Sequence, residues 1–260
     1  MKLTRITSGG NKRISELKKL IGKAAFRRET GLSVAEGIKL SLELFREKAE
    51  VKELYLTPKY LKTLPEDYLS SVGEIIEITE EIAEKVSDQK TPEGIFAVFK
   101  TKVLKSAEFG SGKYIILDRI QDIGNAGTII RSADAFSING VIVSPDSCDV
   151  FSPKGLRSSM GSVLRVNIYE CNAIEAVKKL KEKGALVFAS VLSEEKSDRI
   201  ENIVFPDFSA VVIGNEGSGV SEEVILSCQN KLTIPMSGKA ESLNAAVAAG
   251  IIMFHMGKGE

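Results

Sequence analysis

The residues best suited to chemistry fall in three glycine-bearing turns, each following an apolar run. The first is Asp118-Arg119-Ile120-Gln121-Asp122-Ile123-Gly124-Asn125-Ala126-Gly127, continuing to Arg131. The second is Gly214-Asn215-Glu216-Gly217-Ser218-Gly219. The third runs from Ile234-Pro235-Met236 through Ser237-Gly238-Lys239-Ala240-Glu241 to Ser242-Leu243-Asn244. A loop ending in Ser242 and Asn244, beside a helix of small residues, can cradle a small molecule. Glycine lets backbone approach closely. Turns at the carboxyl ends of strands are where open α/β sheets bind ligands.

Other chemistries fit poorly. Dinucleotide binding needs G-x-G-x-x-G after a first strand, whereas Gly214, Gly217 and Gly219 give the reverse order late in the chain. No G-K-[ST] follows any of the turns, which excludes a P-loop. His255 is the single histidine, and Ser242 has no visible base partner, so hydrolytic nucleophile chemistry has no support. Cys148, Cys171 and Cys228 are widely spaced without a C-x-x-C pair, which suits free thiols in a reducing compartment such as the cytoplasm. No metal is suggested by ligand spacing. No apolar run approaches the ~20 residues that span a bilayer.

The elements that position the turns belong to an α/β chain in two parts. Up to about residue 105 the pattern reads as a smaller α/β unit, with helices over 12–28, Ile38–Lys48 and Glu80–Val86. Its strands fall at Leu32–Ala35, Val51–Leu56, Ile75–Ile78 and Gly94–Phe99. The small-residue stretch 106–112 reads as a linker. From 113 to 260 apolar runs alternate with helices: strands at Tyr114–Leu117, Gly140–Val143, Val166–Tyr169, Leu186–Ser190, Ala210–Ile213 and Leu232–Ile234. Unbroken runs such as Val211-Val212-Ile213 imply burial on both faces and hence a mostly parallel sheet. Pro235 stops the last strand. Ser242 is placed to cap the final helix, in which Ala245, Ala246, Ala248, Ala249 and Gly250 leave little bulk.

Charge is regional although the net charge is zero. Lys2, Arg5, Lys12, Arg13, Lys18, Lys19, Lys23, Arg27 and Arg28 face only Glu16 and Glu29 among the first thirty residues. Such a basic segment is the footprint expected of phosphate-backbone contact.

Together the three turns resemble the SpoU (TrmH-type) RNA ribose 2′-O-methyltransferases of the SPOUT superfamily. Asn125 with Arg131 matches the first motif, Gly214-Asn215-Glu216-Gly217 the second, and Ile234-Pro235-Met236 with Ser242-Leu243-Asn244 the third. More loosely, Arg27-Arg28-Glu29-Thr30-Gly31 through Glu36-Gly37 is similar to the entry of the substrate-binding domain in rRNA-directed members. The resemblance implies a C-terminal SPOUT fold with a trefoil knot, a homodimer, and S-adenosyl-L-methionine bound in the knot. It implies methyl transfer to a ribose 2′-hydroxyl, in rRNA rather than tRNA. The other readings are a tRNA enzyme or a catalytically inactive RNA-binding protein of the same fold. The catalytic group would be Arg131, Asn125, Glu216, Ser242 and Asn244, with Asn125 and Asn244 orienting Arg131 and the ribose. Gly214, Ile234 and Leu243 would contact the cofactor. Glu216 has two readings, pairing with an arginine or capping the helix near Ser221. Lys154, Arg157 and Arg165 are placed along the RNA path.

Overall fold

The computed structural model describes residues 3–192 and 197–257; Lys2 of the basic set lies outside them. The chain forms two units. One holds the residues up to Lys102 together with Phe151–Arg157, and the other holds Val103–Val150 with Ser158 onward.

The first unit is built from β1 (Leu3–Ile6), α1 (Lys12–Gly22), α2 (Ala24–Thr30), β2 (Leu32–Glu36), α3 (Ile38–Arg46) and β3 (Val51–Leu56). Two short helices, α4 (Pro58–Leu61) and α5 (Glu66–Ser71), precede β4 (Glu74–Ile78), α6 (Glu80–Val86) and β5 (Ile95–Lys100). The sheet order is β1-β4-β3-β5-β2, with β5 antiparallel to both neighbours. The single helix expected over 12–28 is two, broken where Lys23 turns extended (φ −125°). Ile14, Leu17 and Leu20 of α1 pack with Val34, Ile76 and Phe96 in the core.

The edge strand β1 changes the reading of charge. Its pairing with β4 puts Arg5 3.0 Å from Glu77, while Arg13 reaches Glu74 at 2.7 Å. Arg27 is buried and donates to the carbonyls of Leu20 and Ile21. The basic segment therefore presents less positive surface than its composition suggests. Lys18, Lys19, Lys23 and Arg28 remain exposed.

The second unit comprises β6 (Val103–Leu104), β7 (Lys113–Asp118), α7 (Ile123–Ala135), β8 (Gly140–Val143), and β9 (Ile168–Glu170). Before β9 the chain forms α8 (Pro153–Ser158), most of which belongs to the first unit. There follow α9 (Ala173–Glu182), β10 (Leu186–Ser190), β11 (Asp198–Arg199), β12 (Ser209–Gly214), α10 (Glu222–Ser227), β13 (Asn230–Thr233) and α11 (Ala245–Gly257). The eight strands run in the order β11-β13-β10-β12-β7-β8-β9-β6, every neighbouring pair parallel. Ala210, Val211 and Val212 of β12 are fully buried, as the unbroken apolar run requires.

The stretch expected to be a linker is part of this unit. Ser106–Glu108 forms a 3-10 turn, and Phe109 is 2% exposed, its ring 4.9 Å from Tyr169 and 5.8 Å from Tyr114. One aromatic among small residues anchors it. The boundary between units is therefore at Lys102, and the excursion Phe151–Arg157 belongs to the first unit.

Strand order explains how distant turns meet. The chain lays down β7, β8 and β9 toward one side, then crosses over so that β12 sits between β10 and β7. The first and second turns thus leave adjacent parallel strands. The third returns from β13 through residues 234–244 into α11, which packs on α7.

Candidate active site

The site begins at the end of β7. Asp118 is buried, and its Oδ2 accepts from the Ser221 amide at 2.9 Å, tying the first turn to the second. Arg119 follows in the left-handed region (φ 58°), uncommon for a non-glycine residue. Its carbonyl accepts from Asn215 Nδ2 at 2.9 Å, and its guanidinium donates to the Gly219 carbonyl at 3.3 Å. Ser144 Oγ accepts from the Arg119 amide at 3.0 Å and Ser147 Oγ from the Ile120 amide at 3.1 Å. Residues after β8 therefore shape the first turn. Sequence reading passed over Arg119, Ser144 and Ser147, because no periodicity marks a left-handed arginine or a serine pair that serves backbone amides.

The second turn closes on itself. Asn215 and Gly219 exchange backbone hydrogen bonds at 3.0 and 2.9 Å, while Asn215 Oδ1 accepts from the amides of Gly217 and Ser218. At Gly214 a Cβ would overlap the backbone of Gly219 and Val220. The close approach this glycine permits is thus first of all that of its own loop.

Three of the expected site residues form one chain of hydrogen bonds. Asn244 Nδ2 donates to Asn125 Oδ1 at 2.9 Å, and Asn125 Nδ2 donates to Glu216 Oε1 at 3.0 Å. Glu216 also accepts from the amides of Gln121 and Asp122 at 3.2 and 3.1 Å. Partial burial would raise the Glu216 carboxyl, but the Asn125 amide and these backbone donors hold it below the usual carboxylate range. Glu216 therefore takes neither expected role: it anchors the loop that precedes α7. Asp122 caps that helix, its Oδ1 accepting from the Asn125 amide at 2.8 Å.

The cap of α11 also differs from expectation. Asn244, not Ser242, lies before the first helical residue, and its Oδ1 accepts from Ala246 and Val247 amides at 2.9 and 3.3 Å. Its carbonyl end caps the helix while its amino end reaches Asn125. Ser242 stays in the loop, exposed.

Arg131 is not joined to this network. It lies on α7 beyond Asn125, exposed, its side chain making no hydrogen bond or ion pair with any described residue. Asn125 and Asn244 orient each other and Glu216 instead. Arg157 is held by Asp88 at 3.1 Å and approaches buried Glu36 at 3.6 Å, while Arg165 binds Asp134. Both arginines expected along an RNA path are thus engaged in ion pairs.

Beside the network lies a cavity of ≈ 320 Å³, at the small end of the ~300–1,000 Å³ usual for small-molecule sites. Ile213, Leu232, Ile234, Leu243 and Ile252 supply apolar wall, and Gly214 through Gly219 with Ser242 supply polar atoms. Gly214, Glu216, Ile234, Ser242 and Leu243 line it; Asn125, Arg131 and Asn244 do not. Apolar walls facing backbone and hydroxyl groups suit S-adenosyl-L-methionine, whose adenine is flat and weakly polar while its ribose and amino-acid ends are polar.

A parallel sheet with two turns lining such a cavity and a third hydrogen-bonded to both defines an α/β enzyme site at a strand crossover. Residues 112–254 match the SpoU rRNA Methylase family and residues 11–97 the MRM3-like substrate binding domain. The chain belongs to the SpoU rRNA methylase family. It is 31% identical to the 23S rRNA (guanosine(2553)-2′-O)-methyltransferase RlmP of Bacillus subtilis (strain 168), covering 98% of this chain and 99% of that one. Among solved structures, the AdoMet-bound rRNA methyltransferase from Sinorhizobium meliloti superposes with a TM-score of 0.87 at 27% identity, covering 98% and 97% of the two chains. The SpoU methyltransferase AviRb from Streptomyces viridochromogenes, in complex with AdoMet, gives 0.80 at 25% identity, covering 95% and 97%.

Proposed function

We propose that this chain is an S-adenosyl-L-methionine-dependent methyltransferase acting on a ribose 2′-hydroxyl of rRNA. The observation that carries the reading is the hydrogen-bonded chain Asn244–Asn125–Glu216, which joins all three turns at the cavity's edge. The Bacillus subtilis and Sinorhizobium meliloti relatives are rRNA methyltransferases, and the substrate-binding match at 11–97 supports the same target.

Bound S-adenosyl-L-methionine supplies an electrophilic methyl group. Ile234 and Leu243 hold its apolar face, and the backbone of the Gly214–Gly219 turn binds its polar atoms. Ser242, exposed in the loop before α11, holds the substrate ribose. Arg131 anchors the phosphate of the reacting nucleotide and stabilises charge developing on the 2′-oxygen; a permanently charged guanidinium does not take up the proton itself. Phosphate or water takes the proton.

The enzyme works as a homodimer in the cytoplasm, with the C-terminal chain knotted through the sheet. Helix α11 supports the dimer: it has no polar stripe, yet Val247 and Phe254 are 51% and 49% exposed, an apolar surface that a second copy would cover. The three cysteines are free thiols, as a reducing compartment requires.

Incubating the full chain with methyl-labelled donor and rRNA tests the function. One ribose methyl, detected as a single phosphodiester resistant to alkaline cleavage, is expected. Label on a base, or on tRNA alone, contradicts the proposal.

A further inference from the structure

Asp134 sits where helix electrostatics oppose it. It is the penultimate residue of α7, where free carbonyls carry partial negative charge and disfavour a carboxylate. It also follows Arg131 by three residues, the spacing at which an Arg–Asp pair closes on one helix face. That pair is not formed. Asp134 Oδ2 instead accepts from Arg165 Nε at 2.9 Å and Nη2 at 2.7 Å. Arg165 Nη2 also donates to Ser162 Oγ at 3.1 Å, from a 3-10 turn (Ser162–Leu164) that packs on α7. The two partners are 31% and 26% exposed, so the pair is sheltered without being buried. Burial opposes the charged carboxyl, yet Arg165 and Ser162 hold Asp134 below the usual range.

We propose that Arg165 is a positioning residue: by neutralising Asp134 it keeps Arg131 available for the substrate phosphate. The proposal rests on the reading of Arg131 as phosphate anchor. Without Arg165, the Asp134 carboxylate faces Arg131 across one helical turn. It then captures the guanidinium and repels the incoming phosphate. Surface i,i+3 pairing alone is a small effect. Like-charge repulsion one turn away, partly screened by water, brings the combined penalty to roughly tenfold.

The test uses the full-length protein with rRNA at saturating donor, following kcat/KM for RNA, donor affinity by calorimetry and the thermal midpoint. Arg165→Ala is expected to lower kcat/KM about tenfold, with donor affinity unchanged. Asp134→Ala stays near wild type, and Asp134→Ala in the Arg165→Ala background restores activity. If the ion pair were only a staple for the helix end, Asp134→Ala would lose as much as Arg165→Ala. If Arg165 touched RNA directly, the double variant would stay low. Either pattern overturns the proposal. Should alanine at 165 lower the thermal midpoint, Arg165→Gln with and without Asp134→Asn makes the same comparison with polar shape retained. Arg131→Ala separates the two ways of failing. Turnover kept in that variant ends the anchor reading and this proposal with it; turnover lost there, with Arg165→Ala like wild type, ends this proposal alone.

Discussion

Arg131→Ala is expected to abolish methyl transfer while leaving the fold and donor binding intact. The side chain is exposed on α7 and makes no hydrogen bond or ion pair with a described residue, so nothing in the fold depends on it. Substitutions of that kind change stability by about 0.5 kcal/mol or less. Arg131 also stands apart from the cavity lining, so the donor should bind as before. The loss falls on the step in which negative charge grows on the 2′-oxygen. Removing one such stabilising group typically costs about 10²–10³ in rate. Arg131→Lys keeps the charge without the planar fork and should recover part of the activity only. Single-turnover kinetics with calorimetric donor titration reads both quantities. Turnover within about tenfold of wild type would remove Arg131 from the mechanism.

The second large effect is structural. A methyl group at Gly214 meets backbone atoms of Gly219 and Val220, which cannot swing aside as a side chain does. The loop from Asn215 to Gly219 must shift, breaking its closed pairing and moving Glu216 away from Asn125. Overpacking of this kind costs about 1–3 kcal/mol or more, and each kcal/mol lowers the thermal midpoint of a chain this size by roughly 2–4 °C. Donor affinity should fall by more than about tenfold, a loss of ~1.4 kcal/mol or greater, because the same loop lines the cavity. Gly217→Ala is the control: its Cβ would meet nothing closer than Asn215 Oδ1 at 3.7 Å, an ordinary contact. Equal behaviour of the two variants in melting and calorimetry would refute this account of the second turn.

How much of this was readable in the sequence depended on whether a signal was local. The long apolar runs at Gly140–Val143 and Leu186–Ser190 became strands with the expected bounds, since continuous burial needs no partner to be identified. β1 and β11 escaped notice because short, largely exposed edge strands carry no alternation. Composition overstated the positive surface of the first thirty residues for a related reason. Glu74 and Glu77 lie far from Arg13 and Arg5 in the chain, and only the β1–β4 pairing shows that they are neighbours. The meeting of Asn125, Glu216 and Asn244 was legible only through family resemblance, because strand order, not spacing, brings those turns together. Which of Ser242 and Asn244 caps α11 turned on where the 234–244 loop ends, and composition does not mark that point.

The second and third turns hold the methyl donor, and the first is fixed beside them through Asn125. A crystal structure of the full chain with S-adenosylhomocysteine tests this arrangement most directly. The adenosyl group should lie between Ile234 and Leu243, against the Gly214–Gly219 turn, with the Asn244–Asn125–Glu216 hydrogen bonds intact. Ligand density elsewhere on the molecule, with this cavity holding only solvent, would contradict the account.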